Sequence, residues 1–280
     1  MYFDVIQKNY KFPEFYFTSD ENIFISGMNY YFIFLFENLK DALDCIRLSS
    51  FVEYCYRPIY NNSYEYITKY NSCFYIIFFI KNYTFNPSFL FQPLVISDKF
   101  YLEWRDNWIQ KSDYISSFYS FIKGKYSLID ESIHYYLGLL DYCIYLLNNY
   151  IGYYDYGCVQ HKRFLLKKYF NPVYFKIDVK ERDFADYLKY LFFSNQYKKN
   201  HISELIFSGK NYFNYDLVFI RLLFPDYYFD IFDNIILEKD SCSSLYDIIH
   251  KQDSYVNYVQ MIRSEIEKVY PIKKDINFIS

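Results

Sequence analysis

Apolar and polar positions alternate loosely up to about Met28, with Phe15, Phe17, Ile23 and Ile25 as strand positions. Tyr30 to Phe36 is a continuous aromatic and β-branched run, the pattern of a strand covered on both faces. Asn38 is placed to cap the next segment, LKDALDCIRLSSF, where Leu39, Leu43, Ile46 and Phe51 recur near helical spacing. Arg57-Pro58 closes that helical region, because the residue before a proline avoids the α region. Asn61-Asn62-Ser63 marks a turn between strands around Ile59 and over Tyr64 to Tyr70, and Cys73 to Lys81 reads as another buried strand. Strand, helix and a run of strands predict a small α+β lobe, with Asn86-Pro87-Ser88 and Gln92-Pro93 at its exit.

From Leu102 the apolar period becomes helical. Trp104, Trp108 and Ile109 share one face, and Tyr114, Phe118 and Phe121 another. The clearest helix is Ser132 to Asn149, with Ile133, Tyr136, Leu137, Leu140, Ile144 and Leu147 as a core-facing stripe. Gly152 and Gly157 bracket a Tyr-rich turn. The stretch from Cys158 to Phe193 then runs through a His-containing basic segment into a strand alternating at Val173, Phe175 and Ile177 and ending at Asp178. A short charged turn follows, and Asp183 is placed to cap the amphipathic helix beyond it. Further helical segments are Ile202 to Phe207, Leu217 to Phe224 (stopped by Pro225), Tyr227 to Leu237 and Tyr255 to Tyr270. There is no internal repeat, heptad or low-complexity linker. The expectation is an α+β chain, β-rich over residues 1–92 and helical over 93–280.

At 280 residues the chain is long enough to bury a substantial core, and its net charge of −3 offers no basic field for nucleic acid. Aromatic residues make up 25%, with 38 Tyr and 31 Phe. An aromatic binding surface and AT-rich codon usage both produce such an excess. The near absence of alanine (Ala42 and Ala185 alone) favours codon usage in a low-GC genome. The six cysteines show no paired CxxC spacing and too low a density for a disulfide scaffold, which points to a reducing compartment. The N-terminus lacks a charged region followed by an apolar one, so no signal peptide is expected. The longest apolar run, Cys73 to Ile80, falls far short of the roughly 20 residues a membrane span requires. A soluble cytoplasmic protein is expected.

Several fragments follow one another in a telling order: RPIYNNSYEYI with CFYIIFFI, HYYLGLLDYCIYLLN, QHKRF, NPVYFKIDVKERDFADYLKYLFF and RLLFPDYYFDIFD. Together they resemble the spore-coat-associated, kinase-like proteins of spore-forming bacteria. These are relatives of the aminoglycoside phosphotransferases and have a protein-kinase-like fold. The resemblance implies two lobes, the smaller β-rich and the larger helical, with a nucleotide cleft between them. It also implies a link to spore-coat or envelope assembly, with a protein partner there.

Phosphoryl transfer in such a fold needs a glycine-rich cover, a strand lysine, a carboxylate base and Mg²⁺ ligands. Gly27 is the only glycine before Gly124, and Tyr30 to Phe36 carries no lysine; Lys40 follows only at the helix start. Two residues after His161, where the resemblance places the base, stands Arg163, whose guanidinium accepts no proton. No Asp or Glu occurs from His161 through Ile177. Asp178 is the candidate for contact with Mg-ATP, with Asn171 a weaker one, although Asn171-Pro172 also reads as a turn. The bland reading of Asp178 is a loop carboxylate paired to Lys176, Lys180 or Arg182. His161, Lys162, Arg163, Lys167 and Lys168 form a positive run, either solvated or able to hold a phosphate or acidic peptide. His134, His201 and His250 lack metal-ligand spacing. The leading expectation is a pseudokinase-like scaffold or binding protein. The alternatives are a divergent kinase using Asp178 for Mg-ATP, and a nucleotide- or anion-sensing module without turnover.

Overall fold

The computed structural model describes residues 2–81, 84–92, 94–96, 99–237 and 242–272, the side chain of Lys167 excepted. Pro93, placed above at the exit from the first lobe, lies outside them. The fold is α+β, with a β-rich N-terminal region and a helical C-terminal region. The chain forms two compact units, one of Met1–Leu94 with Val159–Ile177, the other of Val95–Cys158 with Asp178–Ser280. A single boundary after residue 92 does not describe this division, because residues 159–177 return to the first unit.

The first unit begins with helix α1 (Tyr2–Asn9), where the sequence pattern suggested only loose alternation. Five short or medium strands and a helix follow: β1 (Tyr16–Phe17), β2 (Ile23–Ser26), β3 (Asn29–Phe36), α2 (Leu39–Ser49), β4 (Tyr56–Pro58) and β5 (Thr68–Tyr70). The sixth strand is β6 (Cys73–Ile80). They form one sheet in the order β1-β2-β3-β6-β4, with β5 pairing the other end of the β6 edge. At its centre β3 and β6 run antiparallel from Tyr30↔Ile80 to Phe36↔Phe74.

From Tyr30 to Phe36 and from Cys73 to Ile80 the two central strands carry apolar or aromatic side chains at both parities, because each face of the sheet meets a covering helix. Ile33, Tyr75 and Ile77 pack with Val5, Ile6 and Tyr10 of α1 and with Phe24. Phe32, Phe34, Ile76 and Phe78 take the other face, where α2 packs against β3, β4 and β6. The strand expected over Tyr64 to Tyr70 is shorter, since Tyr64 adopts a positive φ of 61° in a turn.

Helix α2 starts where the sequence indicated. The Asn38 side chain accepts from the Asp41 amide at 2.8 Å. Its buried face is a different one: Ala42, Cys45, Leu48 and Ser49 point inward, while Leu39 and Leu43 are 46% and 53% exposed. The small side chains of Ala42 and Cys45 let the helix sit close to the bulky aromatic sheet, and the Leu39–Leu43–Ile46 stripe is turned away.

In the second unit come β7 (Val95–Ile96), β8 (Phe100–Tyr101), α3 (Trp104–Ile122), α4 (Ser127–Leu147) and β9 (Tyr153–Tyr154). Next are β10 (Gly157–His161) and β11 (Phe175–Asp178), both of which pass from one unit's residues to the other's. Six helices follow among the described residues, the first five being α5 (Glu181–Phe193), α6 (Lys199–Gly209), α7 (Tyr215–Leu223), α8 (Asp226–Ile236) and α9 (Cys242–His250). The last helix is α10 (Gln252–Glu267). Helix α7 is its axis. Every one of its residues is buried, and it packs against α4, α5 and α10. A helix so largely apolar around its circumference belongs in a core, and its two charged residues, Asp216 and Arg221, are buried with it. Asn214 caps it, accepting from the Asp216 amide at 3.1 Å, and Pro225 prevents its continuation. On α3, Trp104, Trp108 and Ile115 are buried, whereas Tyr114 and Phe121 of the second expected stripe are 39% and 75% exposed. No helix among the described residues is long and apolar enough to cross a membrane.

Candidate functional site

The residues singled out in the Cys158–Phe193 stretch fall into different units: His161, Arg163, Lys168 and Asn171 in the first, Asp178 in the second. His161 ends β10 with its ring buried. Its centroid lies 4.4 Å from that of the tilted Tyr169 ring and 4.9 Å from that of Phe175, which it meets edge-on, and its Nε2 contacts the Tyr169 carbonyl oxygen. The imidazole is thus a packed aromatic group tied to backbone. Lys162 and Arg163 are exposed. Lys168 directs its ammonium to Asp20 at 3.7 Å, with the Phe32 and Tyr174 rings 5.8 and 5.7 Å away. Its charge is therefore already offset by a carboxylate. The side chain of Lys167 lies outside the described residues.

Asn171 is fully buried, and its Oδ1 accepts from the Val173 amide at 3.2 Å, capping the 3₁₀ turn Pro172–Tyr174. This is the turn that Asn-Pro suggested. Among the described residues its Nδ2 has no hydrogen-bond partner.

Asp178 closes β11 with no exposed surface. Its Oδ1 accepts from the Trp104 indole at 2.8 Å and from the Val179 amide at 2.9 Å. Its Oδ2 accepts from Arg182 Nη1 at 3.0 Å. Both oxygens are engaged by protein donors, and Arg182 supplies the counter-charge. Of the three cations the sequence offered as partners, it is Arg182, the second residue of α5, that meets this carboxylate. A Mg²⁺ ion at this carboxylate would compete with the guanidinium for Oδ2. Among the described residues no group of three or more His, Cys, Asp or Glu side chains could hold a metal ion.

Asp183 does not cap α5. The helix starts at Glu181 with Lys180 at the cap position, so Asp183 lies in the first turn, where its charge and that of Glu181 oppose the helix dipole's positive end. Glu181 is itself buried and accepts from the Asn214 amide at 2.8 Å; burial pushes its carboxyl above the ordinary range.

The largest assembly of charge was not singled out from sequence. Arg221 on α7 meets Asp186 on α5 through two bonds, Nε to Oδ1 at 2.8 Å and Nη2 to Oδ2 at 3.1 Å. Its Nη2 also reaches Asp226 at 3.1 Å. Lys189 donates to the same Asp226 at 2.8 Å and to the Phe224 carbonyl at 2.6 Å. The guanidinium carbon lies 5.2 Å from the Phe224 ring and 5.8 Å from Trp104, whose indole holds Asp178. Burial works against the Asp186 carboxylate, but Arg221 and Arg182 outweigh it and hold the group below its ordinary value. Burial lowers the Lys189 ammonium. A cavity of about 20 Å³ beside Lys189 and Asp226 is room for one water and no larger ligand. The signal in the sequence was an arginine inside YDLVFIRLL, a segment with no polar face on which to expose it.

No protein-family model matches the chain, and no curated protein does.

Proposed function

We propose that this chain is a pseudokinase-like scaffold or binding protein that does not transfer phosphate. The observation that carries this reading is the state of Asp178. The one carboxylate that the resemblance assigns to Mg-ATP has both oxygens committed to Trp104, Val179 and Arg182. Arg163 supports it from the other side of the reaction: an exposed guanidinium stands where the resemblance requires a proton acceptor. The two-lobed kinase-like fold, the tie to spore-coat or envelope assembly and the protein partner are parts of this reading that rest on the resemblance. A cytoplasmic, reducing location belongs to it as well, supported by six cysteines that are all free.

The test is thermal unfolding with and without Mg-ATP. A ligand at about 100 times its Kd stabilises by roughly 2.7 kcal/mol. No shift is expected. A shift without nucleotide consumption would replace the scaffold with a nucleotide sensor. A shift accompanied by nucleotide turnover would overturn it in favour of a kinase.

A further inference from the structure

In the first unit, Tyr60 and Tyr66 face each other across the loop that joins β4 to β5. Their rings stack with 4.2 Å between centroids and 16° between planes. The two hydroxyls are hydrogen-bonded to each other, which raises the Tyr66 phenol above its ordinary range. Tyr60 is 55% exposed and Tyr66 partly so. The loop backbone holds the pair in place. Asn61 Oδ1 accepts from the Ser63 amide at 2.9 Å and from the Glu65 amide at 3.0 Å, and its Nδ2 donates to Thr68 Oγ1 at 3.1 Å. The Asn61 amide donates to the Glu65 carbonyl at 2.9 Å, and the Asn62 amide ties the loop to the Asn9 carbonyl at 2.8 Å. Tyr64 closes the turn from the left-handed region, at a φ of 61°.

Other tyrosine pairs of the chain lack one part of this arrangement. Tyr136 and Tyr228 stack at 3.8 Å, but both are buried away from any external reagent. Tyr187 and Tyr190 are parallel but 6.5 Å apart. Tyr153 is exposed, but it meets Tyr101 at 5.4 Å and a tilt of 60°. Tyr60 and Tyr66 combine close parallel contact, a shared hydrogen bond and access from solvent. Two phenols held this way react with each other ahead of a phenol on a second chain, because their encounter is already made.

We propose that Tyr60 and Tyr66 form an oxidative cross-linking site, joined as dityrosine by hydrogen peroxide acting through a haem peroxidase. Each phenol gives up one electron and its hydroxyl proton and becomes a phenoxyl radical. The radicals join through the carbons ortho to oxygen, and each ortho hydrogen then moves to its oxygen as the ring regains aromaticity. The protein loses two hydrogen atoms in all, and one hydrogen peroxide is reduced to two waters. In the product the ring centroids are separated by one aryl–aryl bond and two ring radii, a sum close to the 4.2 Å already present. Coupling therefore requires the rings to splay rather than to approach, and it staples the loop from residue 60 to residue 66. This site is independent of whether the chain binds nucleotide.

The test treats the full chain with a haem peroxidase and limiting hydrogen peroxide, then separates monomer from cross-linked oligomers. The monomer fraction is expected to show dityrosine fluorescence and the mass loss of two hydrogen atoms, mapped by peptide mass spectrometry to residues 60 and 66. Tyr60→Phe and Tyr66→Phe each keep the ring and remove a phenol, so the thermal transition should hold while the yield of the internal link falls about tenfold. Tyr64→Phe and Tyr153→Phe, at positions 83% and 76% exposed, are the controls for exposure alone and should leave that yield unchanged. No dityrosine in the monomer, a link mapped to other residues, or a yield that survives both Tyr60→Phe and Tyr66→Phe overturns the proposal. So does coupling that joins chains to each other and leaves the monomer unmodified, or a yield that Tyr64→Phe or Tyr153→Phe lowers equally.

Discussion

A carboxylate at the end of a strand has two very different uses, and its hydrogen-bond partners separate them. A metal-binding Asp leaves oxygen lone pairs for the ion, so its removal is harmless to the apo fold or relieves repulsion. Asp178 instead neutralises a buried guanidinium. Asp178→Ala is therefore expected to destabilise the second unit by about 3 kcal/mol, because Arg182 loses this ion pair and keeps only the attraction of Asp186 and its other neighbours. Urea unfolding followed by indole fluorescence measures this directly, because both tryptophans of the chain, Trp104 and Trp108, lie in that unit. A loss under about 1 kcal/mol would mean that Arg182 finds water instead. The position of Asp178 at a strand end was legible in the alternation of Val173, Phe175 and Ile177. Its partner Trp104 was not, because the two are 74 residues apart and only the fold brings them together. The cysteines give a second residue-scale prediction. Burial pushes the thiols of Cys45 and Cys55 up to about 12 and that of Cys158 to about 11, and raises Cys143 as well. A thiol-specific reagent on the native chain at neutral pH should modify the half-buried Cys73 and Cys242 and reach the other four only in denaturant.

Whole elements were legible where one pattern dominated, and misread where two faces of a helix competed. The β3 and β6 runs and the α2 cap were evident because a continuous apolar run and an Asn before a helical period each have one reading. The inward face of α2 was not. Size favoured the leucine stripe, while close packing on an aromatic sheet selected Ala42 and Cys45. Helix α1 was missed because its apolar side is short, with Val5 and Ile6 as its buried residues. Two substitutions test this scale. Asn38→Ala removes the cap of α2 and should cost about 1 kcal/mol in the first unit, read by circular dichroism. Gly209→Ala at the end of α6 should cost about 1–3 kcal/mol, because an added Cβ would meet Tyr215 Oη at 2.6 Å and Phe213 Cδ2 at 2.7 Å. Neither atom yields easily: the hydroxyl is fixed at 2.5 Å from the Ile206 carbonyl, and the Phe213 ring stacks on Phe184 at 4.5 Å. A neutral Gly209→Ala would show that α6 slides along its neighbours to make room.

At the scale of the molecule, part of the chain's unusual aromatic content packs within each unit, as in the α1-side cluster of Phe12, Phe24 and Tyr31 and the Trp104–Trp108–Phe224 stack, while other rings such as Tyr64, Phe121 and Tyr153 stay exposed. The second unit adds buried ionic groups to that packing, and these set how its stability responds to pH. Two of its carboxylates pull in opposite directions. Asp186 is held below its ordinary value, so the stabilisation it lends is complete above that value, near 3.9, and is lost as pH falls further toward the folded-state value. Glu181 is raised by burial, so its charged form burdens the native state at neutral pH. That burden lifts as pH falls through the raised value toward the ordinary one. Indole-monitored unfolding should therefore show stability rising slightly from neutral to mildly acid pH and then dropping steeply below about 4. Glu181→Gln keeps an oxygen for the Asn214 amide and removes the charge; it should hold or raise stability at neutral pH and erase the rise while leaving the drop. Asp186→Asn should cost about 3–5 kcal/mol at neutral pH by stripping Arg221 of its bidentate partner, and should flatten the acid limb. If Glu181→Gln destabilises the unit at neutral pH, its carboxylate is favourably paired rather than merely buried, and the opposition between the two acids does not exist.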